Sequence, residues 1–432
     1  MRRLRELAEA AAPERDRYVD LLRAVAITAV IVGHWLAVVV TYQDGRLQGR
    51  NLLSLLDWTR PVTWVFQVMP VFFLVGGYAA AASLRSASQG PTPLGPASWV
   101  LNRMRRLLRP TTMLFGALVT AAVVGAALDL PQVGTAVWAA AIPLWFLIAY
   151  VAIVALSPVM FALHQRFGIQ VVVALVVVVA VVDLLRLGLD VPVVGQANHL
   201  LGWLAVYQLG FAWRDGILAR PVAWALAIGG GCALVVLTTV GPYPVSMVGV
   251  PGDPVHNTSP PSLALLALAA TQTGLALLCA PTMRRWLLDV RPWTVVVAVN
   301  AVILTVFLWH MTAVVGAAVL YPTGLLPDRA TGTGAWWLLR LPWLVVLATV
   351  LGLLLALFAR LELRRPRPIG ALTARGAGTL VTLGVIAALA GLLSFPLTGP
   401  DDGATPRVAG LALYAGGLLL LRAARAVPTP VT

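Results

Sequence analysis

The stretch RYVDLLRAVAITAVIVGHW, Arg17–Trp35, is an apolar run long enough to enter a bilayer, yet it carries an arginine at Arg23 and a histidine at His34. Ionisable side chains inside hydrocarbon are costly, and where they persist they face a bundle interior or a water-filled cavity. At 100° per residue, eleven steps bring Arg23 and His34 to within about 20° of one helix face, roughly 16 Å apart along the axis. Taken singly, Arg23 reads as a snorkelling or topology residue and His34 as an imidazole bonded to a neighbouring helix. Taken together on one face, they read as the lining of a polar cavity.

The rest of the chain is built for the same solvent. Its 432 residues are 59% hydrophobic and only 11% charged, with a mean hydropathy of +0.87, whereas about 25% charged is usual in a soluble domain. These values predict a polytopic membrane protein. The net charge of +14 would suit a polyanion partner in a soluble protein. Here the basic residues, all of them arginine, sit in short segments between apolar runs, so the charge reads as topology and nucleic acid is excluded as a partner. Cys232 and Cys279 lie inside apolar runs and imply neither a disulfide framework nor a metal site. The first apolar run follows a polar leader, residues 1–17, and is too long for the core of a cleaved signal peptide.

Segments of roughly 20 apolar residues, the length of a helical crossing, are predicted at 19–41, 62–84, 110–128, 144–163, 169–187, 200–213, 221–241, 262–281, 293–320, 337–359, 377–398 and 408–421. Twelve crossings place both termini on one side. The connections on that side hold 23 arginines, and those on the other hold six, Arg46, Arg50, Arg60, Arg329, Arg340 and Arg407, with Arg23 and Arg186 left within spans. By the positive-inside rule both termini are expected in the cytoplasm, with the protein multi-pass in the cell membrane. The longest outer connection, GPYPVSMVGVPGDPVHNTSPPS (Gly241–Ser262), is rich in Pro and Gly and is expected to be irregular backbone; it reads equally as a cover over a cavity mouth or as an ordinary loop.

With this orientation Arg23 lies near the cytoplasmic surface and His34 toward the bilayer middle. A deep acid–base group with a fixed cation nearer the cytoplasm suits a long anionic donor such as acyl-coenzyme A: arginine binds phosphates bidentately, and a histidine takes a proton from an attacking hydroxyl. The same pair suits a proton-coupled transporter, and the physics leaves both open.

The opening stretch resembles the first-helix signature of the acyltransferase family 3 integral membrane proteins, a basic residue and a histidine separated by ten residues, as Arg23 and His34 are. Four further stretches resemble that family's landmarks in order. VMPVFFLVGGYAAAASL (Val68–Leu84) resembles the second-helix motif, with Phe72 and Phe73 as its aromatic pair and Gly76 where Ser is common. NRMRRLLRPTTM (Asn102–Met113) resembles the basic Arg-x-x-Arg before the third helix, carried by Arg106 and Arg109 and stopped by Pro110. PLWFLIAYVAIVALSP (Pro143–Pro158) resembles the Trp-Phe-Leu segment, and ILTVFLWHMTAVV (Ile303–Val315) the late histidine-bearing helix, placing His310.

The resemblance implies an all-α fold, a polytopic transmembrane bundle with a ten-helix acyltransferase core at 18–360. A basic cytoplasmic linker at 361–376, two additional helices at 377–421 and a cytoplasmic tail at 422–432 would follow. It implies an O-acyltransferase of bacterial type that moves an acyl group, expected to be acetyl, from cytoplasmic acyl-coenzyme A to a hydroxyl of a carbohydrate or other envelope or secondary-metabolite acceptor. The implied catalytic residues are His34 and His310, and the implied donor-binding residues are Arg23, Arg106 and Arg109. No metal and no bound cofactor are expected; the partners are the bilayer, the donor and the acceptor. The alternative is a transporter or flippase of an amphiphilic substrate.

Other polar residues read as structural. Asp183 and Arg186, three apart in the fifth span, suit an ion pair on one face. His164 and His199 at span ends and His256 in the outer loop read as surface residues, and Trp145 as an interfacial or packing aromatic.

Overall fold

The computed structural model describes residues 16–90, 93–327, 329–363, 369–372, 376–394 and 408–426. Fourteen helices of nine residues or more occur among these: α1 Arg17–Ala37, α2 Met69–Gln89, α3 Pro96–Ala127, α4 Val133–Ala141, α5 Pro143–Phe167, α6 Gln170–Gly188, α7 Asn198–Arg214, α8 Arg220–Thr239, α9 Leu263–Trp286, α10 Val290–Ala301, α11 Ile303–Ala318, α12 Gly334–Leu363, α13 Ala377–Leu393 and α14 Val408–Ala426. A hairpin of β1 (Val38–Gln43) and β2 (Arg46–Asn51) is the one sheet among the described residues. Among the described residues nine stretches are long and apolar enough to cross a membrane singly, and α10 with α11 makes up to ten. The chain is therefore an all-α, multi-pass membrane protein. Most of the leader at 1–17, much of the linker at 361–376 and the end of the tail at 422–432 lie outside the described residues.

The chain divides into two compact units. The first takes the chain up to Val39, Arg50–Ser83 and Val159–Ile303. At its core is α7, the short sixth span, whose residues from Gly202 to Trp213 are all buried. A Cβ on Gly77 would fall on the Tyr207 carbonyl and one on Gly210 on the Leu74 carbonyl; glycine at both positions lets α2 and α7 touch backbone to backbone. Helices α8 and α9 pack in the same way, with Gly230 against Ala267 and Thr271, and Gly274 against Ala223 and Ala227.

The connection 241–262 is irregular, as its composition predicts, but it is pinned rather than loose. Met247 and Asn257 are fully buried. The Gln67 amide donates to the Met247 carbonyl (2.8 Å), the Thr63 hydroxyl accepts from the Met247 amide (2.8 Å) and Trp64 Nε1 donates to the Val245 carbonyl (2.7 Å).

The second unit takes Val40–Gly49, Leu84–Pro158 and the chain from Leu304 onward. The two C-terminal helices form a hairpin closed by small residues, since a Cβ on Gly391 or Gly417 would strike the Tyr414 or Ala388 amide at 2.5 Å. Tyr414 bonds Thr112 of α3 at 2.8 Å and packs on Phe115. In the linker, Asn102 makes two bonds to the backbone of Ile369, and the Ser98 hydroxyl accepts from Leu372.

Five readings of the sequence are corrected. The first helix ends at Ala37, not 41, because the β-branched run 38–41 continues as a strand into the turn at Asp44 and Gly45, both at positive φ. An Asp-Gly pair between such runs is a hairpin signal. The second span is interrupted at Gln67 and Val68, where short helical turns give way to α2. Pro110 does not stop a helix but lies within the 32 residues of α3, where it has no N–H to offer the Arg106 carbonyl one turn back. The ninth span breaks at Val302. The amides this exposes at Leu304 and Thr305 are taken by the Glu362 carboxylate at 3.1 and 2.8 Å, a side-chain cap that satisfies a helix start. Arg340, counted in an outer connection, lies within α12 and is buried.

Candidate active site

The α1 face carrying Arg23 and His34 belongs to the first unit. Asp16 caps the helix by accepting from the Tyr18 amide at 3.0 Å. Arg23 is tied to the buried Asp20, one turn earlier, at 3.0 Å, and its side chain stays 25% exposed. The Asp20 carbonyl accepts from the Asn300 amide at 2.9 Å. With one Nη committed to Asp20, the guanidinium keeps further N–H donors for a ligand.

Because α1 ends at Ala37, His34 sits in its last turn, where its carbonyl accepts from the Val38 amide. The preceding Gly33 packs on the interrupted second span, since a Cβ there would lie 3.2 Å from Phe66 Cδ1. That break is a polar node. Gln67 Nε2 donates to Thr258 Oγ1 at 2.9 Å, and Gln272 Nε2 donates to the Gln67 carbonyl at 2.9 Å. His34, the next residue along α1, is half-buried; non-helical backbone such as that at Gln67 and Val68 is tolerated at membrane depth only where protein or a cavity receives it.

His310 and the Arg106–Arg109 pair belong to the second unit. His310 is fully buried on α11. Its Nδ1 lies 2.5 Å from the Phe307 carbonyl, and since a carbonyl only accepts, Nδ1 is the donor in this contact. Phe307 meets Phe146 of the Trp-Phe-Leu segment edge to face at 5.1 Å, and Trp309 stacks on Phe358 at 4.0 Å. The basic segment rides on α3: Arg106 is exposed, Arg109 half-buried, and Arg103 lies over the Trp99 ring at 5.1 Å. Arg105 stands within range of the charges of Arg425 and Arg109. Such a concentration of like charge favours an anion.

Asp183 and Arg186 do form the expected pair, at 3.1 Å. Asp183 also accepts from Asn198 (3.1 Å), Tyr243 (3.0 Å) and the Leu263 amide that opens α9 (2.8 Å). Burial and the neighbouring Asp183 carboxylate push the Tyr243 phenol above its ordinary pKa. His164, read as a surface residue, is instead 3% exposed, with Nε2 3.3 Å from Asp215 and its ring edge on Phe211. The sequence reading missed Asp20, although an acid three residues before Arg23 on one helix is a pairing signal. It also missed Gln67, Gln272 and Asn300, whose partners lie far along the chain. Among the described residues no three His, Cys, Asp or Glu are grouped to hold a metal.

A family model described as an acyltransferase domain matches residues 16–361. The match takes in α1 with Arg23 and His34, the basic pair on α3, and His310. The chain belongs to acyltransferase family 3 and is a membrane acyltransferase. No curated protein and no solved structure matches it.

Proposed function

We propose that the protein is an O-acyltransferase of the cell membrane, with both termini in the cytoplasm. It takes an acyl group, acetyl in the simplest case, from cytoplasmic acyl-coenzyme A and delivers it to a hydroxyl of a carbohydrate or other envelope or secondary-metabolite acceptor. The observation that carries this reading is the α1 stripe: a half-buried histidine and an arginine with donors to spare on one helix face, within a chain of acyltransferase type.

In this reading His34 takes the proton of the acceptor hydroxyl as its oxygen attacks the thioester carbonyl. The ester forms, the carbon–sulfur bond breaks, and the proton returns to the departing coenzyme A thiolate. Arg23, Arg106 and Arg109 hold donor phosphates by charge-assisted bonds. His310, whose Nδ1 is engaged by the Phe307 carbonyl, is the second histidine of the reaction.

Mass spectrometry of envelope glycans, lipids and secreted metabolites from cells with and without the gene tests this directly. A gene-dependent mass difference of one acyl group is expected, and it names acyl length and acceptor together. Redistribution of an unmodified lipid between leaflets with no such difference would overturn the reading in favour of a flippase. Reporter fusions check the topology: residue 250 is expected outside and residue 370 inside.

A further inference from the structure

Helix α12 buries one face and exposes the other. Trp336, Trp343, Leu347 and Leu351 are each less than a tenth exposed, while Leu338, Leu341 and Val345 are about two-thirds exposed or more. This is the spacing of a helix with one apolar stripe inward. Arg340, 6% exposed, stands in the middle of the buried stripe, one turn from Trp336 and one turn from Trp343. Among the described residues no carboxylate pairs with it. Its Nε and Nη2 are buried and have no hydrogen-bond partner, and neither has the buried Nε1 of Trp343.

A buried cation without a counter-charge is among the most costly arrangements a fold can hold. The Trp336 ring lies 3.9 Å from the guanidinium carbon and shields one face of the plane, but a ring face does not take in-plane N–H donors. The two orphaned nitrogens share one edge of the guanidinium. Their N–H bonds run parallel and are spaced to meet two oxygens of a single carboxylate or phosphate. Arg340 lies six residues beyond Gly334, about 9 Å along the axis, so a charged group needs to go only that far from the end of the span. Tyr321, edge to face with Trp343 at 5.7 Å, completes an aromatic wall.

We propose that the Nε–Nη2 edge of Arg340 is an oxyanion-binding site, built for one phosphate or carboxylate group that reaches it from the Gly334 end of α12. Two sources share this chemistry, a phospholipid headgroup and a soluble anionic molecule. The site is independent of the acyl-transfer reading.

The test is thermal unfolding of the full chain in an uncharged detergent, with chloride at matched ionic strength as reference. The probes are inorganic phosphate, acetate, and phosphatidylglycerol against uncharged diacylglycerol. The unfolding midpoint is expected to rise by about 2–4 °C with a probe held well above its dissociation constant. A rise with phosphatidylglycerol alone assigns the site to a headgroup; one with phosphate or acetate assigns it to a soluble molecule. Arg340→Met is expected to abolish the rise while leaving the chloride midpoint equal or higher, because it removes an uncompensated charge. Arg340→Lys, which keeps charge and loses the fork, should retain less than half of the rise, and Trp343→Phe should reduce it with the fold intact. The proposal is overturned if no probe exceeds chloride, if the rise survives in Arg340→Met, or if that variant lowers the chloride midpoint or fails to fold.

Discussion

Helices α6 and α12 each carry a buried ionisable residue on an otherwise apolar buried face, Asp183 and Arg340, and the two are treated in opposite ways. Asp183 on α6 receives Arg186, Asn198, Tyr243 and the first amide of α9. Arg340 on α12 receives a tryptophan face and leaves two N–H groups orphaned. A buried charge with its hydrogen-bonding capacity filled by its own chain is a structural joint, and removing it costs stability. A buried cation with neither acceptor nor counter-charge is a costly arrangement that a bound anion would relieve. The candidate site poses the same question for experiment: a residue with a structural role should report in folding, and one that handles substrate should report in binding or turnover.

The sharpest way to break this sorting is at His34. Gln at this position keeps hydrogen-bonding capacity and approximate size but cannot take a proton near pH 7. Loss of a general base costs roughly two to four orders of magnitude in rate. His34→Gln is therefore expected to lower turnover by about that factor, with the amount of folded protein almost unchanged. Acyl transfer in detergent, normalised to folded protein, measures it, and a fully active variant would move His34 to the structural side of the comparison. Arg23→Lys is its companion: it keeps the charge but not the planar fork, and should weaken donor binding while some activity remains.

Asp183 is expected to behave in the opposite way. Asp183→Ala strands the Arg186 charge and three further donors, and breaking a buried pair by removing one partner costs about 3–5 kcal/mol. The expected result is a large loss of folded protein, with normal KM values for whatever remains. An Asp183→Ala protein that folds well yet transfers poorly would blur the line between the two classes.

How far this contrast was legible in the sequence depends on distance along the chain. The Asp183–Arg186 pair was legible because its members are three residues apart on one helix, and the apolar runs marked where the helices lie. The other partners of Asp183 lie 15, 60 and 80 residues away, and no local pattern encodes such contacts. His164 was misread for the same reason, since the Asp215 that receives it is remote. The breaks at Gln67 and Val302 sit inside continuous apolar runs, where hydropathy reports length but not backbone continuity. Arg340 was lost because a lone arginine near a span end reads as a topology signal; only its burial separates it from one. Of the candidate site, the placement of Arg23 and His34 on one helix was legible, whereas the hold of Asp20 on Arg23 was written in the sequence and passed over.

The basic pair on α3 offers a smaller effect. If Arg106 and Arg109 seat donor phosphates, replacing either with Ala should raise the KM for acyl-coenzyme A by about ten- to a hundredfold, more than that for the acceptor, with insertion intact. An unchanged donor KM would return both arginines to topology.

The smallest effect belongs to the periphery of the Asp183 joint. Tyr243 lies in the connection 241–262, outside the helices, and its phenol donates to Asp183 at 3.0 Å. Tyr243→Phe removes one hydrogen bond to a charged group while three donors remain, so a loss of about 1–2 kcal/mol is expected. The pH dependence carries the diagnostic sign. Because burial and the Asp183 carboxylate raise the folded-state pKa of this phenol, its contribution is complete below the unfolded value of about 10 and is lost as pH climbs from there toward the folded value. The native protein should thus lose stability above about pH 10 more steeply than Tyr243→Phe, and the two unfolding midpoints should converge as pH rises. Parallel profiles would mean that Asp183 holds this connection through its other donors alone, and that the Tyr243 bond is incidental to the joint.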